Sequence, residues 1–139
     1  MNTEKGLVLG SLYIVATPIG NKKDMSSRAR EILIACDRVA AEDTRRATRL
    51  LAELGGNQHK LISLHAHNEG QLVGYLVGEL VNGATVALVS DSGTPLLSDP
   101  GYRLVLAASC AGIRVIRIPG RCSIVAALCV CPLLGDPFL

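Results

Sequence analysis

Thr85-Val-Ala-Leu-Val-Ser90, followed at once by Asp91-Ser-Gly-Thr-Pro-Leu-Leu-Ser-Asp-Pro-Gly101, is the stretch that decides the fold. The first part is a short continuous apolar run, which predicts a strand buried on both faces of a sheet. The second part holds two Pro, two Gly, two Asp and three Ser/Thr within eleven residues, too many turn formers for a plain connection. Gly93 lets the backbone approach a ligand or take a positive φ, and Pro95 and Pro100 stiffen the path. Amides freed in this way suit an adenosyl or amino-acid moiety. The same composition also suits a rigid strand-to-helix turn in which Asp99 caps the next helix.

The alternation extends in both directions from this strand. Upstream, Ser11–Ala16 is a continuous apolar run ending at Thr17-Pro18. Ser26 and Ser27 offer N-caps to a helix over Arg28–Cys36, where Ile32, Leu33 and Cys36 recur at helical spacing. Arg38–Glu42 reads as a second strand, and Thr44–Leu54 as a second helix stopped by Gly55-Gly56. Leu61–His65 is a third strand, and Asn68 is placed to cap a helix over Glu69–Val81 that ends at Asn82-Gly83. Downstream come a helix over Tyr102–Cys110, a strand Arg114–Ile118 and a last helix over about Ser123–Cys131. Repeated β–α units of this kind predict an α/β fold: an open, mostly parallel, five-stranded sheet with right-handed crossovers and helices on both faces.

Ligands of such sheets bind outside the carboxyl ends of the strands, and the unusual residues here follow the strands. They are Thr17-Pro-Ile-Gly-Asn21, Glu42-Asp-Thr-Arg45, His65-Ala-His-Asn-Glu69, the Asp91–Gly101 segment and Pro119-Gly-Arg-Cys122. No Gly-x-Gly-x-x-Gly follows the first strand and no Gly-Lys-Ser/Thr is present, which weakens nicotinamide and nucleoside-triphosphate readings. Glu42 and Asp43 beside Arg45 and Arg46 suit a general base with phosphate-binding cations. They equally suit a helix capped by Asp43 with the arginines on its solvated face. His65 and His67 would share a face if their strand continued, but no further ligands can be placed beside them, so no metal is expected.

Composition sets the outer bounds. At 139 residues, 49% hydrophobic and 19% charged, the chain is globular in composition and sized for one domain. Its net charge of +2 neither demands nor excludes a nucleic-acid partner. The five cysteines form no paired zinc-ligand pattern; Cys36, Cys110 and Cys129 lie in apolar, helix-like contexts, and a reducing cytoplasm fits them. Gly6–Ala16 lacks a small-x-small cleavage site, and Ser123–Leu134 falls short of the roughly twenty residues of a membrane span. No membrane association is expected.

The loops, taken in order, resemble a known family. The blocks are Leu12-Tyr-Ile-Val-Ala-Thr-Pro-Ile-Gly-Asn21, Asp24-Met-Ser26, Ala40-Ala-Glu-Asp-Thr-Arg45, Ser63-Leu-His-Ala-His-Asn-Glu69, Leu88-Val-Ser-Asp-Ser-Gly-Thr-Pro95, Ser98-Asp-Pro-Gly-Tyr-Arg103 and Ile118-Pro-Gly120. Together they resemble the small-subunit rRNA methyltransferase I family of the tetrapyrrole-methylase superfamily. The resemblance implies S-adenosylmethionine-dependent methylation of a cytidine ribose 2′-hydroxyl in small-subunit (16S) rRNA, within the ribosomal particle or its RNA, by a cytoplasmic homodimer. It implies cofactor contacts from Thr17, Pro18, Gly20, Asp91, Ser92, Gly93, Thr94, Pro95 and Gly120. It makes Asp43 the leading polar group near the hydroxyl, with Glu42 second, and offers Arg45, Arg46, His65 and His67 to the RNA. By the same resemblance residues 1–10 are an N-terminal extension, 11–139 are the N-terminal methylase domain, and the family's C-terminal domain is absent. Family members usually carry Ala at Ser92 and Pro-Ser at Arg121-Cys122. Two other readings stand beside this one: a truncated domain that folds or dimerises without turnover, and a tetrapyrrole C-methyltransferase of the same superfamily.

Overall fold

Local sequence signals fix most element boundaries. A computed structural model describes residues 10–16, 25–65, 67–89 and 101–118. Within it the elements run β1 (Ser11–Val15), α1 (Ser27–Ala35), β2 (Arg38–Ala41), α2 (Thr44–Leu54), β3 (Leu61–Ser63), α3 (Glu69–Val81), β4 (Thr85–Val89), α4 (Tyr102–Cys110) and β5 (Arg114–Ile118). The Ser26 hydroxyl accepts from the Ala29 amide at 3.1 Å and starts α1. Gly55 ends α2 at φ 78°, in the left-handed region that glycine enters without a Cβ penalty. A 3-10 turn, Gln58–Lys60, leads into β3 and was not apparent from the pattern. The expected helix over 123–131 lies outside the described residues.

The described strands form one all-parallel sheet in the order β3-β2-β4-β1-β5. Because side chains alternate across a strand, each strand serves two cores. Val15, Val39, Ala41, Ala87 and Val89 pack with Ala29 and Leu33 of α1 and Ala47 and Leu51 of α2. Leu12, Ala40, Val86 and Leu88 pack on the other face with Leu76 and Leu80 of α3 and Leu104 and Ala108 of α4. Each of the four described α-helices thus buries a pair spaced i, i+4, the minimum apolar stripe. Each fully buried leucine contributes about 2 kcal/mol of transfer free energy.

The winding reverses once. From β1 the chain moves through α1 to β2 and through α2 to β3, on one face; from β3 it returns through α3 to β4 and through α4 to β5, on the other. The amino edge is tied by polar contacts. Asp37 Oδ2 accepts from the Thr85 amide at 2.8 Å and from its hydroxyl at 3.0 Å. Arg38 Nε donates to Glu79 Oε1 at 3.1 Å. Lys60, 7% exposed, donates from Nζ to the Ile34 and Cys36 carbonyls at the end of α1, at 2.8 and 3.0 Å. Cys36 is buried there, whereas Cys110, expected in an apolar setting, is exposed on α4.

Candidate active site at the carboxyl edge

All five strands stop on one line. Ser63 pairs with Ala41, Ala41 with Val89, Val89 with Val15 and Val15 with Ile118. The segments that follow β1, β4 and β5 therefore leave from adjacent positions, about 4.8 Å apart across each strand pair. β1 leads to α1 on one face and β4 to α4 on the other, so these neighbouring strands send the chain to opposite faces, as do β2 and β4. Ligands of open parallel sheets bind outside the strand ends at such places. The strand ends themselves are apolar and buried: Val15, Ala16, Ala41, Val89 and Ile118 are each at most 4% exposed. The predicted cofactor residues Thr17, Pro18, Gly20, Asp91, Ser92, Gly93, Thr94, Pro95 and Gly120 lie outside the described residues. Arg121 and Cys122 do too. What the structure places is where their segments leave and rejoin the frame: Ala16, Val89, Gly101 and Ile118.

β2 delivers Glu42 and Asp43 to the same edge, beside β4. Asp43 caps α2: Oδ1 accepts from the Arg45 amide at 2.9 Å and from Arg45 Nε at 3.2 Å, while Oδ2 accepts from Arg45 Nη2 at 3.2 Å. These bonds hold its carboxyl below the usual carboxylate range, with the Arg45 side chain the leading cause. Both readings of the Glu-Asp-Thr-Arg block thus meet in one residue, a helix cap that is also an anion at the sheet's carboxyl edge. Glu42, Arg45 and Arg46 are exposed on that turn. A carboxylate paired in this way is a good hydrogen-bond acceptor and a weak proton acceptor.

β3 ends at Ser63, so His65 and His67 stand on a turn and not on a continued strand. Their rings meet edge to face with centroids 5.8 Å apart, and the His67 amide donates to His65 Nδ1 at 3.2 Å. The expectation that the Asn68 side chain caps α3 is corrected. It bonds backwards instead, donating to the Ser63 carbonyl at 2.9 Å and accepting from the His65 amide at 2.8 Å. That choice locks the turn onto the end of β3. Glu69, expected as the last residue of the polar turn after β3 and the first of the helix, is buried and bonds to the start of α4. Its signal in the sequence was a charged residue directly after a polar turn, which does not reveal a partner more than thirty positions away.

Among the described residues no group of three His, Cys, Asp or Glu side chains could hold a metal ion. No helix among them is long and apolar enough to cross a membrane. A groove of about 480 Å³ lies at the opposite, amino edge, among Arg38, His59, Lys60, Glu79 and Asn82. Its Arg38 is paired with Glu79 and its Lys60 is spent on helix carbonyls, so the carboxyl edge is the better ligand site.

The family model of the tetrapyrrole (corrin/porphyrin) methylases matches residues 11–133. The chain belongs to this family. Within it, the chain is 50% identical over 129 residues to a protein of Xylella fastidiosa named ribosomal RNA small subunit methyltransferase I, covering 93% of this chain and 47% of that protein. It is also 50% identical over 129 residues to a protein of that name from Escherichia coli O157:H7, covering 93% and 45%. This methylase-family chain spans about half the length of the curated relatives it matches. Among solved structures it is similar to the uroporphyrin-III C-methyltransferase of Thermus thermophilus, with a TM-score of 0.64 and 25% identity over 91% of this chain and 54% of that one.

Proposed function

We propose that this chain is the amino-terminal half of a cytoplasmic S-adenosylmethionine-dependent methyltransferase. Its target is a cytidine ribose 2′-hydroxyl in small-subunit (16S) rRNA, and it works as a homodimer. The observation that carries the reading is the common finishing line of the strands, with neighbouring β1 and β4 sending the chain to opposite faces just where the Thr17–Gly20 and Asp91–Pro95 segments follow in the sequence. The half-identity to two proteins named for rRNA methylation supports the choice of substrate.

S-adenosylmethionine supplies a methyl group already activated by a positively charged sulfur. The described frame fits it: the strand ends from which the cofactor-facing segments depart are apolar, with small side chains at Ala16 and Ala41. Thr17, Pro18, Gly20, Asp91, Ser92, Gly93, Thr94, Pro95 and Gly120 hold it, largely through backbone groups. The protein's remaining task is alignment of the hydroxyl with the methyl group and removal of its proton. Asp43, kept anionic by Arg45, has one lone pair of Oδ2 left to orient the hydroxyl. Glu42, exposed on the same turn, is the second group placed to take the proton. Arg45, Arg46, His65 and His67 face the RNA from the β2 and β3 turns.

Calorimetric titration of S-adenosylmethionine into the chain, and into the chain extended by the remaining half of a relative, tests the site. Methyl transfer to small ribosomal subunits that lack the modification then tests the substrate. Binding to neither form would sink the cofactor assignment. A second reading, methylation of a tetrapyrrole carbon, is favoured by the likeness to the uroporphyrin-III enzyme. Turnover of a uroporphyrin-type substrate with none on rRNA would put that reading first.

A further inference from the structure

Glu69 is the first residue of α3, yet its carboxylate serves another helix. Oε2 accepts from the Gly101 amide at 2.8 Å and from the Arg103 amide at 3.1 Å. The residue is 9% exposed. The N-cap of α4 is Gly101, at φ 124°, which has no side chain to cap with; Asp99, expected as the cap, lies outside the described residues. A serine or aspartate at the N-cap could accept from the Arg103 amide but not from its own, so a local cap would replace only one of the two bonds. The longer route achieves something a local cap cannot. The Glu69 amide donates to the His65 carbonyl at 2.9 Å, and Asn68 ties the same turn to Ser63. The carboxylate is thus delivered from a turn locked to the end of β3, and it grips the residue at which the chain rejoins the frame after residues 90–100.

We propose that Glu69 is a positioning residue for the cofactor-facing segment between β4 and α4. One end of that segment is held in the sheet by Val89; Glu69 holds the other by the Gly101 and Arg103 amides. The inference rests on the reading of Asp91–Pro95 as cofactor-holding. Releasing one end leaves the segment more conformations to lose when a ligand binds, so affinity falls while chemistry in the bound complex is unchanged. Two amide bonds to an ionised acceptor are strong, and the positive end of the α4 dipole adds to them. Glutamine keeps the shape and one acceptor oxygen but loses the charge, so it is the milder variant.

The test uses Glu69→Ala and Glu69→Gln in the chain extended by the remaining half of a relative. In the alanine variant, the KM and Kd for S-adenosylmethionine rise about tenfold with kcat within about twofold. The glutamine variant shows a smaller rise in the same two quantities and carries the test if the alanine variant does not fold. Amide hydrogen exchange at Gly101 and Arg103 quickens in both, a readout that needs no turnover. A folded variant with unchanged cofactor affinity, beside a wild-type protein that binds, overturns the inference alone. A fall in kcat at unchanged KM also overturns it. A wild-type protein that takes up no cofactor overturns the cofactor reading and the inference together.

Discussion

Replacing Lys60 by methionine tests how a lone buried ammonium is kept. Lys60 is 7% exposed, and its bonds at 2.8 and 3.0 Å go to the carbonyls of Ile34 and Cys36. Those carbonyls lie at the end of α1, where acceptors lack partners within the helix and the dipole favours a cation. Hydrogen bonds to a charged group contribute about 1.5–3 kcal/mol each, so two give roughly 3–6 kcal/mol. Against this stands the desolvation of the ammonium, an effective several kcal/mol. Methionine keeps most of the buried stem and removes both terms, but it leaves the two carbonyls without their donor. We expect a net loss of about 2 kcal/mol, which is a fall of roughly 1 M in the urea midpoint. The neighbouring thiol gives a second readout. Burial pushes the Cys36 thiol up and Lys60 holds it partly down, so Lys60→Met raises it further and slows its reaction with a disulfide reagent at a given pH. Cofactor affinity stays unchanged, because Lys60 sits at the amino edge of the sheet, opposite the candidate site. An unchanged or higher urea midpoint would refute the reasoning, since desolvation would then outweigh the carbonyl bonds.

Two further substitutions probe the site edge and the floor of the fold. Asp43→Asn removes the charged cap of α2. Because Arg45 lowers the folded-state value, the wild-type advantage is present above the unfolded carboxylate value of about 3.9 and disappears as pH falls through the folded one. Urea midpoints of the two proteins should converge toward acid; a constant gap down to about pH 2 would show that the shift is not the cause. Gly10→Ala places a Cβ 1.7 Å from the Ala84 carbonyl oxygen. Both partners are backbone, so no rotamer relieves the clash, and the Gly10 amide bond to Leu80 is lost with the displacement. The variant should not yield folded protein at 25 °C, and a wild-type melting curve would show that this approach is not needed.

Patterns within about four residues carried the fold, and contacts between distant positions carried what the patterns missed. The β-rich run at Thr85, the Ser26 cap and the Gly55 stop depend on neighbours in the chain, and the structure places each of them as the sequence predicts. Asn68 misled because its side chain had two local acceptor and donor choices, and tying down the β3 turn won over capping α3. Glu69 and Lys60 were silent for another reason. Their partners lie 32 and 34, and 26 and 24, positions away, beyond any periodicity in the chain. At the candidate site, the edge itself followed from the order of strands and helices. The pairing of Asp43 with Arg45 did not, since a cap and a catalytic acid have the same spelling.

The place of β4 in the sheet also bears on how the molecule is made. β1 pairs with β4 and β5, and β2 pairs with β3 and β4. A nascent chain that has emerged only as far as Gly83 can therefore join β2 to β3, but its first strand has no neighbour to pair with. Synthesis of Thr85–Val89 inserts the strand that bridges the two, burying Val86, Ala87 and Leu88 in one step. The neighbouring ends of β1 and β4 are brought together at that moment, so the edge that carries the candidate site and the cooperative sheet are one folding event.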